Sequence, residues 1–186
     1  LRTEMAGVQA AVEALGFHAG EDPRETNPKE DARCDGLLGL ILERLQGQGS
    51  WLDTERLVVF TEYKTTLDYL LRRLRADLGD DRRILRLFGG MVDAEREGIK
   101  NAFNDPEDPV RILLATDAAS EGLNLQETAR YLLHYDIPWN PARLEQRNGR
   151  LDRHGQSRDV TVWHFVSDDD QDLAFLDLVV RKVDSI

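Results

Sequence analysis

The sequence has little of what a disulfide-stabilised, zinc-binding or membrane-spanning protein needs. Its single cysteine, Cys34, excludes an internal disulfide and fits a reducing compartment. The 4 histidines are scattered, and no cysteine and histidine set has the spacing of metal ligands, so we expect no metal site. Apolar runs such as LVVF at 57–60 and ILLA at 112–115 are far shorter than the roughly 20 residues of a membrane span, so we expect no membrane contact.

Two motifs of nucleotide hydrolysis are missing as well. No glycine is followed by lysine, which excludes the phosphate-binding loop G-x-x-x-x-G-K-[ST], and no aspartate is followed by glutamate, which removes an acidic pair for magnesium. The N-terminus, LRTEM, has neither an initiator methionine nor a targeting signal, so we expect an excised fragment of a cytoplasmic protein. Such a fragment is not expected to hydrolyse a nucleoside triphosphate alone.

The charge balance is acidic. The 186 residues carry a formal net charge of -11, with 41% hydrophobic and 32% charged residues, a composition typical of a globular domain. A broad basic face for holding nucleic acid by bulk charge is therefore excluded. Any contact with nucleic acid is expected to be local.

Short apolar strands alternate with helical patterns from residue 57 onward, which predicts an α/β fold with a parallel sheet. The predicted strands are 57–61, 84–88, 111–116, 130–136 and 160–166. Predicted helices lie at about 65–78 with Thr65 as its cap, at about 93–103, and after Asn140 and Pro141, which form a strong start signal. Further helices are predicted near 3–15, at 35–47 and at about 169–183, the second with a buried stripe of Leu37, Leu38, Ile41, Leu42 and Leu45.

The loop after the third of these strands has an unusual composition. TDAASEGLNLQ, at 116–126, is rich in small residues; Gly122 would allow close backbone approach, and Asn124 offers an amide. Ligands of an open parallel sheet bind outside the carboxyl ends of its strands. The loop therefore favours a phosphate or a ribose as its ligand, and an ordinary turn is the alternative.

Arginines are concentrated between residues 143 and 153, near the sequence EQRNGRLDRHGQ at 145–156. Gln146, Gly149, Arg150 and Arg153 stand at i, i+3, i+4 and i+7, so a continuous helix would place them on one polar face. A glycine inside a helix costs about 1 kcal/mol relative to alanine, which favours a close contact at Gly149. A planar guanidinium binds phosphate through two hydrogen bonds, so we interpret these arginines as phosphate ligands. A solvated helix face is the alternative.

The order of these segments resembles a known family. VVFTEY, LFGGMVDAEREGIKNAFND, RILLATDAASEGLNLQ and LLHYDIPWNPARLEQRNGRLDRHGQ follow one another as in the C-terminal RecA-like lobe of superfamily two helicases. The DIPWNP segment and an arginine motif that ends in HGQ resemble the Swi/Snf branch, and SEG and GRLDR look like its bacterial members, such as the RNA-polymerase-associated ATPase and phage-defence helicases.

The resemblance spans roughly residues 55–166 and implies a domain organisation. An open, mostly parallel RecA-like sheet with helices on both faces would occupy 51–167, and 168–186 would form a C-terminal helix of the same domain. Residues 1–50 would be a helical N-terminal extension with a mobile loop at about 19–33.

The resemblance also implies roles for individual residues. The nucleic-acid backbone would be contacted by Thr61, Gly89, Gly90 and Thr116, and the nucleotide by Gly122, Leu123, Asn124 and Gln146. Arg150 and Arg153 would be arginine fingers that reach the γ-phosphate of ATP. ATP and Mg²⁺ would be held mainly by an N-terminal RecA-like lobe of the same full-length chain, and DNA would be a more fitting partner than RNA. Asn124 and Glu121 replace an aspartate and an arginine of DEAD-box proteins.

Other interpretations stay open at this point. A RecA-like lobe can serve as a scaffold for protein partners without any ATPase role. A phospho-acceptor domain that uses Asp117 or Asp136 would need an acidic pocket at the first strand, where only Glu62 is available. Asp117 and Asp136 are equally explained as caps or salt-bridge partners, and Trp139 as a packed anchor.

Overall fold

The computed structural model describes residues 13–14, 31–120 and 123–166. Helix α1 (Ala32–Leu45) begins where the Asp31 side chain accepts a hydrogen bond from the Cys34 N–H at 3.0 Å. An antiparallel hairpin of β1 (Gln46–Gly47) and β2 (Ser50–Trp51) follows directly. Positive φ angles at Gln48 and Gly49 form its two-residue turn, which ends the helix before the predicted residue 47.

The main sheet contains five parallel strands, which confirms the predicted fold class. They are β3 (Leu57–Thr61), β4 (Ile84–Leu87), β5 (Ile112–Thr116), β6 (Tyr131–His134) and β7 (Thr161–His164). Their order across the sheet is β4-β5-β3-β6-β7, so the first strand of the sheet is also its central one. All five predicted strands are present, with ends that differ by at most two residues.

The helices between these strands match the predicted pattern. They are α2 (Lys64–Leu78), α3 (Asp93–Asn104), the short α4 (Asp117–Ser120) and α5 (Pro141–Asn148), with a 3₁₀ turn at Asp81–Arg83. The predicted cap of α2 is wrong, because Thr65 lies inside the helix and Tyr63 occupies the N-cap without a side-chain hydrogen bond. Asn140 caps α5 as predicted, since its Oδ1 accepts a hydrogen bond from the Ala142 N–H at 3.0 Å.

Both faces of the sheet are covered, which explains why its strands read as unbroken apolar runs. On one face, helices α1 and α2 pack on alternate strand residues, and the core is formed by Leu37, Ile41, Leu67, Leu70, Val59, Leu114 and Leu133. On the other face, the core includes Phe60, Phe103, Leu113, Leu125 and Leu151. Leu42 was predicted to belong to the buried stripe of α1, but the side chain is exposed because it points away from the sheet.

Some predicted elements lie outside the described residues. Only residues 13 and 14 of the predicted first helix are described, and both are helical. The predicted helix at 169–183 and residues 19–30 of the loop predicted at about 19–33 fall outside. The end of that predicted loop is wrong, because Asp31 caps α1 and residues 32 and 33 are helical. Within the described ranges, none of the helices has the length and apolar character needed to cross a membrane.

Candidate functional site

Polar residues converge at the carboxyl edge of the main sheet. Thr61 and Thr116 are register partners at the ends of β3 and β5, and both side chains are buried. Asp117 follows β5 directly, and Asp136 lies two residues beyond the end of β6. Because the strands are parallel, the loops that the sequence singled out meet at this one edge.

The centre of this edge is Arg147, whose side chain is 1% exposed. Its Nε donates to Asp117 Oδ1 at 2.6 Å, and its Nη2 donates to Asp117 Oδ2 at 2.9 Å. The remaining N–H groups face the Asp136 carbonyl oxygen at 2.8 Å, Asp136 Oδ1 at 3.2 Å and His134 Nδ1 at 3.4 Å. All five N–H donors of this guanidinium are therefore opposite an acceptor.

The two carboxylates at this edge are ion-pair partners of Arg147, which is one of the alternatives that the sequence left open. Asp136 also accepts hydrogen bonds from the Thr61 hydroxyl and from the Glu62 N–H, the latter at 2.9 and 3.0 Å. The Thr61 side chain thus faces Asp136 beneath the surface. The network joins the ends of three neighbouring strands, β3, β5 and β6.

His134 completes the network as a neutral ring. Its Nδ1 faces the Arg147 guanidinium, so this nitrogen is the acceptor and Nε2 carries the proton that is donated to Asn148 Oδ1 at 2.9 Å. Burial lowers the pKa of His134 from 6.5 to about 4, and the charge of Arg147 acts in the same direction. The ring is therefore uncharged near neutral pH.

Helix α5 is shorter than the arginine pattern predicted. It ends at Asn148, and Gly149 closes it by donating its N–H to the Glu145 carbonyl at 2.8 Å. The prediction that Gln146, Gly149, Arg150 and Arg153 share one helix face is therefore wrong. A continued helix would need the Arg150 carbonyl for the N–H four residues later, but this carbonyl accepts the Leu125 N–H at 3.1 Å. A Cβ at Gly149 would lie 3.3 Å from the Glu145 carbonyl oxygen, so the close neighbour there is the helix itself.

The arginine turn, residues 149–156, is tied to the loop 123–129 after β5. Besides the bond from Leu125 to Arg150, the Gln156 Nε2 lies 3.1 Å from both the Gln126 and the Ala129 carbonyl oxygens. Leu151 is fully buried beside this loop, in the same core cluster as Leu125. These contacts hold the arginine turn against the loop as one unit.

Arg150 and Arg153 differ in their surroundings. The Arg150 side chain is partly buried, and its Nη1 lies 3.5 Å from the Leu123 carbonyl oxygen. Arg153 is exposed, and within the described part of the chain its guanidinium makes no hydrogen bond, ion pair or ring contact. Arg153 is thus available to an anion.

The other predicted site residues lie around the same edge. Leu123 is buried, Asn124 is partly buried with its carbonyl oxygen 2.9 Å from Asn104 Nδ2, and Gln146 is exposed. Gly89 and Gly90 are exposed after β4, and Gly90 has a φ of 89°. Gly122 and Glu121 lie outside the described residues.

Sequence reasoning missed Arg147 as the buried arginine, since all the arginines of this segment lie in an equally polar stretch. The available signal was the pair of aspartates that follow two strands of one sheet, because two half-buried carboxylates close together favour a cation between them. Trp139 was predicted to be a packed anchor, but the side chain is 82% exposed, whereas the preceding Pro138 is buried.

Much of the arginine preference of this chain has a structural cause. At the opposite edge of the sheet, buried Arg56 donates to backbone carbonyls in the last turn of α3 and just after it, including Ala102 at 3.2 Å and Asp108 at 3.0 Å. Burial lowers its pKa from 12.5 to about 10. Arg158 likewise bonds the carbonyls of Thr54 and Thr128 at 2.7 and 2.6 Å. A planar guanidinium can donate hydrogen bonds to several carbonyl oxygens at once, so phosphate binding does not explain every arginine of this chain.

The strand order and the polar carboxyl edge define this chain as a RecA-like α/β lobe. The family model named helicase conserved C-terminal domain matches residues 40–155, and the chain belongs to this family. Its relatives include a protein named as an ATP-dependent helicase and the SNF2 domain-containing protein CLASSY 3 of Arabidopsis thaliana, which confirms the family predicted from the motif order.

Two relatives illustrate the match. The chain is 35% identical over 129 residues to the uncharacterized ATP-dependent helicase YqhH of Bacillus subtilis, covering 69% of this chain and 22% of that protein. It is 35% identical over 159 residues to the DNA repair protein rhp54 of Schizosaccharomyces pombe, covering 83% of this chain and 18% of that protein. This chain therefore spans about a fifth of the length of these curated relatives.

A solved structure supports the same fold. The C-terminal part of the Fun30 ATPase domain superposes with a TM-score of 0.66 at 19% identity, covering 95% of this chain and 52% of that one. The likeness shows the RecA-like fold, and the sequence match shows the family.

Proposed function

We propose that this chain is the second motor lobe of an ATP-dependent nucleic-acid translocase of the SNF2 type. The single observation that carries the proposal is the arginine turn: Arg153 is exposed and unengaged among the described residues, Arg150 belongs to the same turn, and this turn is bonded to the loop after β5. A scaffold for protein partners has no need for an unengaged guanidinium on a turn that is bonded to the carboxyl edge of the sheet.

In this proposal, Arg150 and Arg153 stabilise the charge that develops on the γ-phosphate of ATP bound to a preceding RecA-like lobe. ATP supplies the phosphoryl group that is transferred to water, and Mg²⁺ and the phosphate-binding loop belong to that preceding lobe. Gly122, Leu123, Asn124 and Gln146 lie beside the nucleotide. This chain has no phosphate-binding loop of its own, so hydrolysis needs the longer protein.

We assign the nucleic-acid contacts to the same edge of the sheet. Gly89 and Gly90 follow β4 and are exposed, so a phosphate backbone can approach their N–H groups closely. Thr116 and Thr61 are buried beneath this surface. Thr61 influences the nucleic-acid contact through Asp136, to which it donates a hydrogen bond. We favour DNA over RNA, because one of the relatives is named a DNA repair protein.

The proposal is tested by the ATPase rate of the full-length protein with duplex DNA, single-stranded DNA or RNA. We expect duplex DNA to raise kcat at least about tenfold and RNA to have a smaller effect, because binding completes the closed arrangement of the two lobes. A rate that none of the three nucleic acids changes would contradict the motor function. An equal effect of RNA would contradict the preference for DNA alone.

A further inference from the structure

Arg147 lies between the two groups of residues that the proposed function separates. It belongs to the last turn of α5, three residues before Arg150. Its guanidinium binds Asp117, which follows Thr116, and Asp136, which accepts a hydrogen bond from Thr61. The side chain therefore connects the assigned nucleic-acid contacts to the arginine turn.

We propose that Arg147 is a positioning residue that couples the strand ends to the arginine turn. Nucleic acid bound at the strand ends then controls where Arg150 and Arg153 lie. The inference rests on the proposed function and adds to it the regulation of the same site. It assigns Arg147 no contact with ATP, because the side chain is 1% exposed and its donors are all directed at the protein.

The coupling follows from the burial of a fully bonded charge. A displacement of α5 relative to β5 or β6 would separate Arg147 from Asp117 or Asp136 and leave buried charges unpaired, which is strongly unfavourable. Phe60 also lies under the guanidinium, with its ring centroid 5.7 Å from Cζ. The helix and the three strand ends are therefore expected to move together.

A second link runs parallel to the first. Asn148, the last residue of α5, accepts a hydrogen bond from His134 at the end of β6. The same residue accepts, through its carbonyl oxygen, the N–H groups of Leu151 at 3.0 Å and Asp152 at 2.9 Å. The start of the arginine turn is thus bonded on one side to the strand ends and on the other to the residues that precede Arg153.

The chain offers a matched structural control at the opposite edge of the sheet. Arg111 is 2% exposed and also bonds several acceptors: the carbonyl oxygens of Leu52 at 3.0 Å, Asp108 at 2.6 Å and Val110 at 2.7 Å, and Asp53 Oδ1 at 2.6 Å. Arg147→Lys and Arg111→Lys both keep a buried positive charge, but both replace the planar guanidinium and its several N–H donors with a single ammonium group. They should lower the melting temperature of the protein by similar amounts.

The test is a double-substitution cycle on kcat of the full-length protein with saturating ATP and duplex DNA. We expect Arg147→Lys to lower kcat by roughly 10- to 100-fold, since a displacement of about 1 Å of a catalytic group has effects of this size. The KM for ATP should stay within about threefold, because ATP is held mainly by the other lobe. In a background with both Arg150→Ala and Arg153→Ala, the same substitution should lower kcat by less than about threefold, because its effect passes through these two arginines.

Three outcomes are decisive. The expected pattern, with Arg111→Lys within about threefold of the wild-type kcat, supports the positioning role, since lost stability alone would affect both lysine variants equally. If Arg147→Lys behaves like Arg111→Lys, or if it still lowers kcat by more than about threefold when Arg150 and Arg153 are both alanine, the positioning role is overturned and the proposed function stands. If Arg150→Ala and Arg153→Ala both keep the wild-type kcat, the proposed function fails and the inference fails with it.

Discussion

At the scale of the residue, burial decides what an arginine does in this chain. Arg147 and Arg153 lie six positions apart in one polar segment, yet one is fully bonded inside the protein and the other is exposed without partners among the described residues. A buried guanidinium needs acceptors for all its donors, whereas an exposed one is solvated and free to bind an anion. Sequence spacing alone does not separate these two cases.

His134 gives a prediction at this scale. Its folded pKa of about 4 lies below the ordinary value of 6.5, so protonation is disfavoured in the folded state. The stabilisation is present above pH 6.5 and is lost as the pH falls toward 4, by up to roughly 3 kcal/mol. Thermal unfolding of the full-length protein across this range should show a flatter pH dependence for His134→Gln than for the wild type.

The matched control for this prediction is His154→Gln, because His154 is exposed on the arginine turn. This variant should keep the wild-type pH dependence. If His134→Gln keeps it too, the buried neutral ring is not the source of the acid sensitivity.

At the scale of the element, the segments that follow β4 and β5 approach each other so closely that position 89, just after β4, requires a glycine. A Cβ at Gly89 would lie 2.9 Å from the Ala118 Cβ on α4, which is too close for two carbons. Gly89→Ala must therefore displace one of the two loops at the carboxyl edge, and we expect a loss of about 1–3 kcal/mol in the free energy of unfolding. Thermal unfolding of the full-length protein measures this loss.

Gly98→Ala is the control for that substitution. Gly98 lies in the exposed middle of α3, and a Cβ there would meet nothing within 4 Å. Alanine should stabilise this helix by about 0.5–1 kcal/mol. Equal effects of the two substitutions would show that the contact between Gly89 and Ala118 is not tight.

Elements with a local cause could be predicted from the sequence, and those with a tertiary cause could not. Strands β3 and β5 are buried on both faces, so each is a continuous apolar run that marks its own bounds. The end of α5 depends on a distant contact. The N–H of Leu125, which lies 25 residues before Arg150, donates a hydrogen bond to the Arg150 carbonyl oxygen. The same limit applies to the site: the edge of the sheet was predicted from its loops, whereas the buried role of Arg147 depends on aspartates from two other strands.

At the scale of the whole molecule, an acidic lobe of a nucleic-acid motor is physically consistent. The net charge of -11 excludes binding by a broad basic face, but backbone N–H groups and a few side chains at one edge can follow a phosphate backbone. The chain spans about a fifth of the length of its relatives. Under the proposed function, the first lobe and its phosphate-binding loop belong to the longer protein. The work of this lobe is then to bring two arginines to a nucleotide that it does not hold alone.

The most direct test of this central claim is kcat for ATP hydrolysis by the full-length protein with saturating duplex DNA and one arginine removed. Arg150→Ala and Arg153→Ala should each lower kcat by about 10³-fold or more, with the fold intact and the Kd for ATP only modestly raised. Arg33→Ala is the control, because Arg33 is exposed on α1 and, like Arg153, has no hydrogen bond, ion pair or ring contact within the described ranges. It should keep the wild-type kcat, and wild-type turnover in both Arg150→Ala and Arg153→Ala would contradict the account.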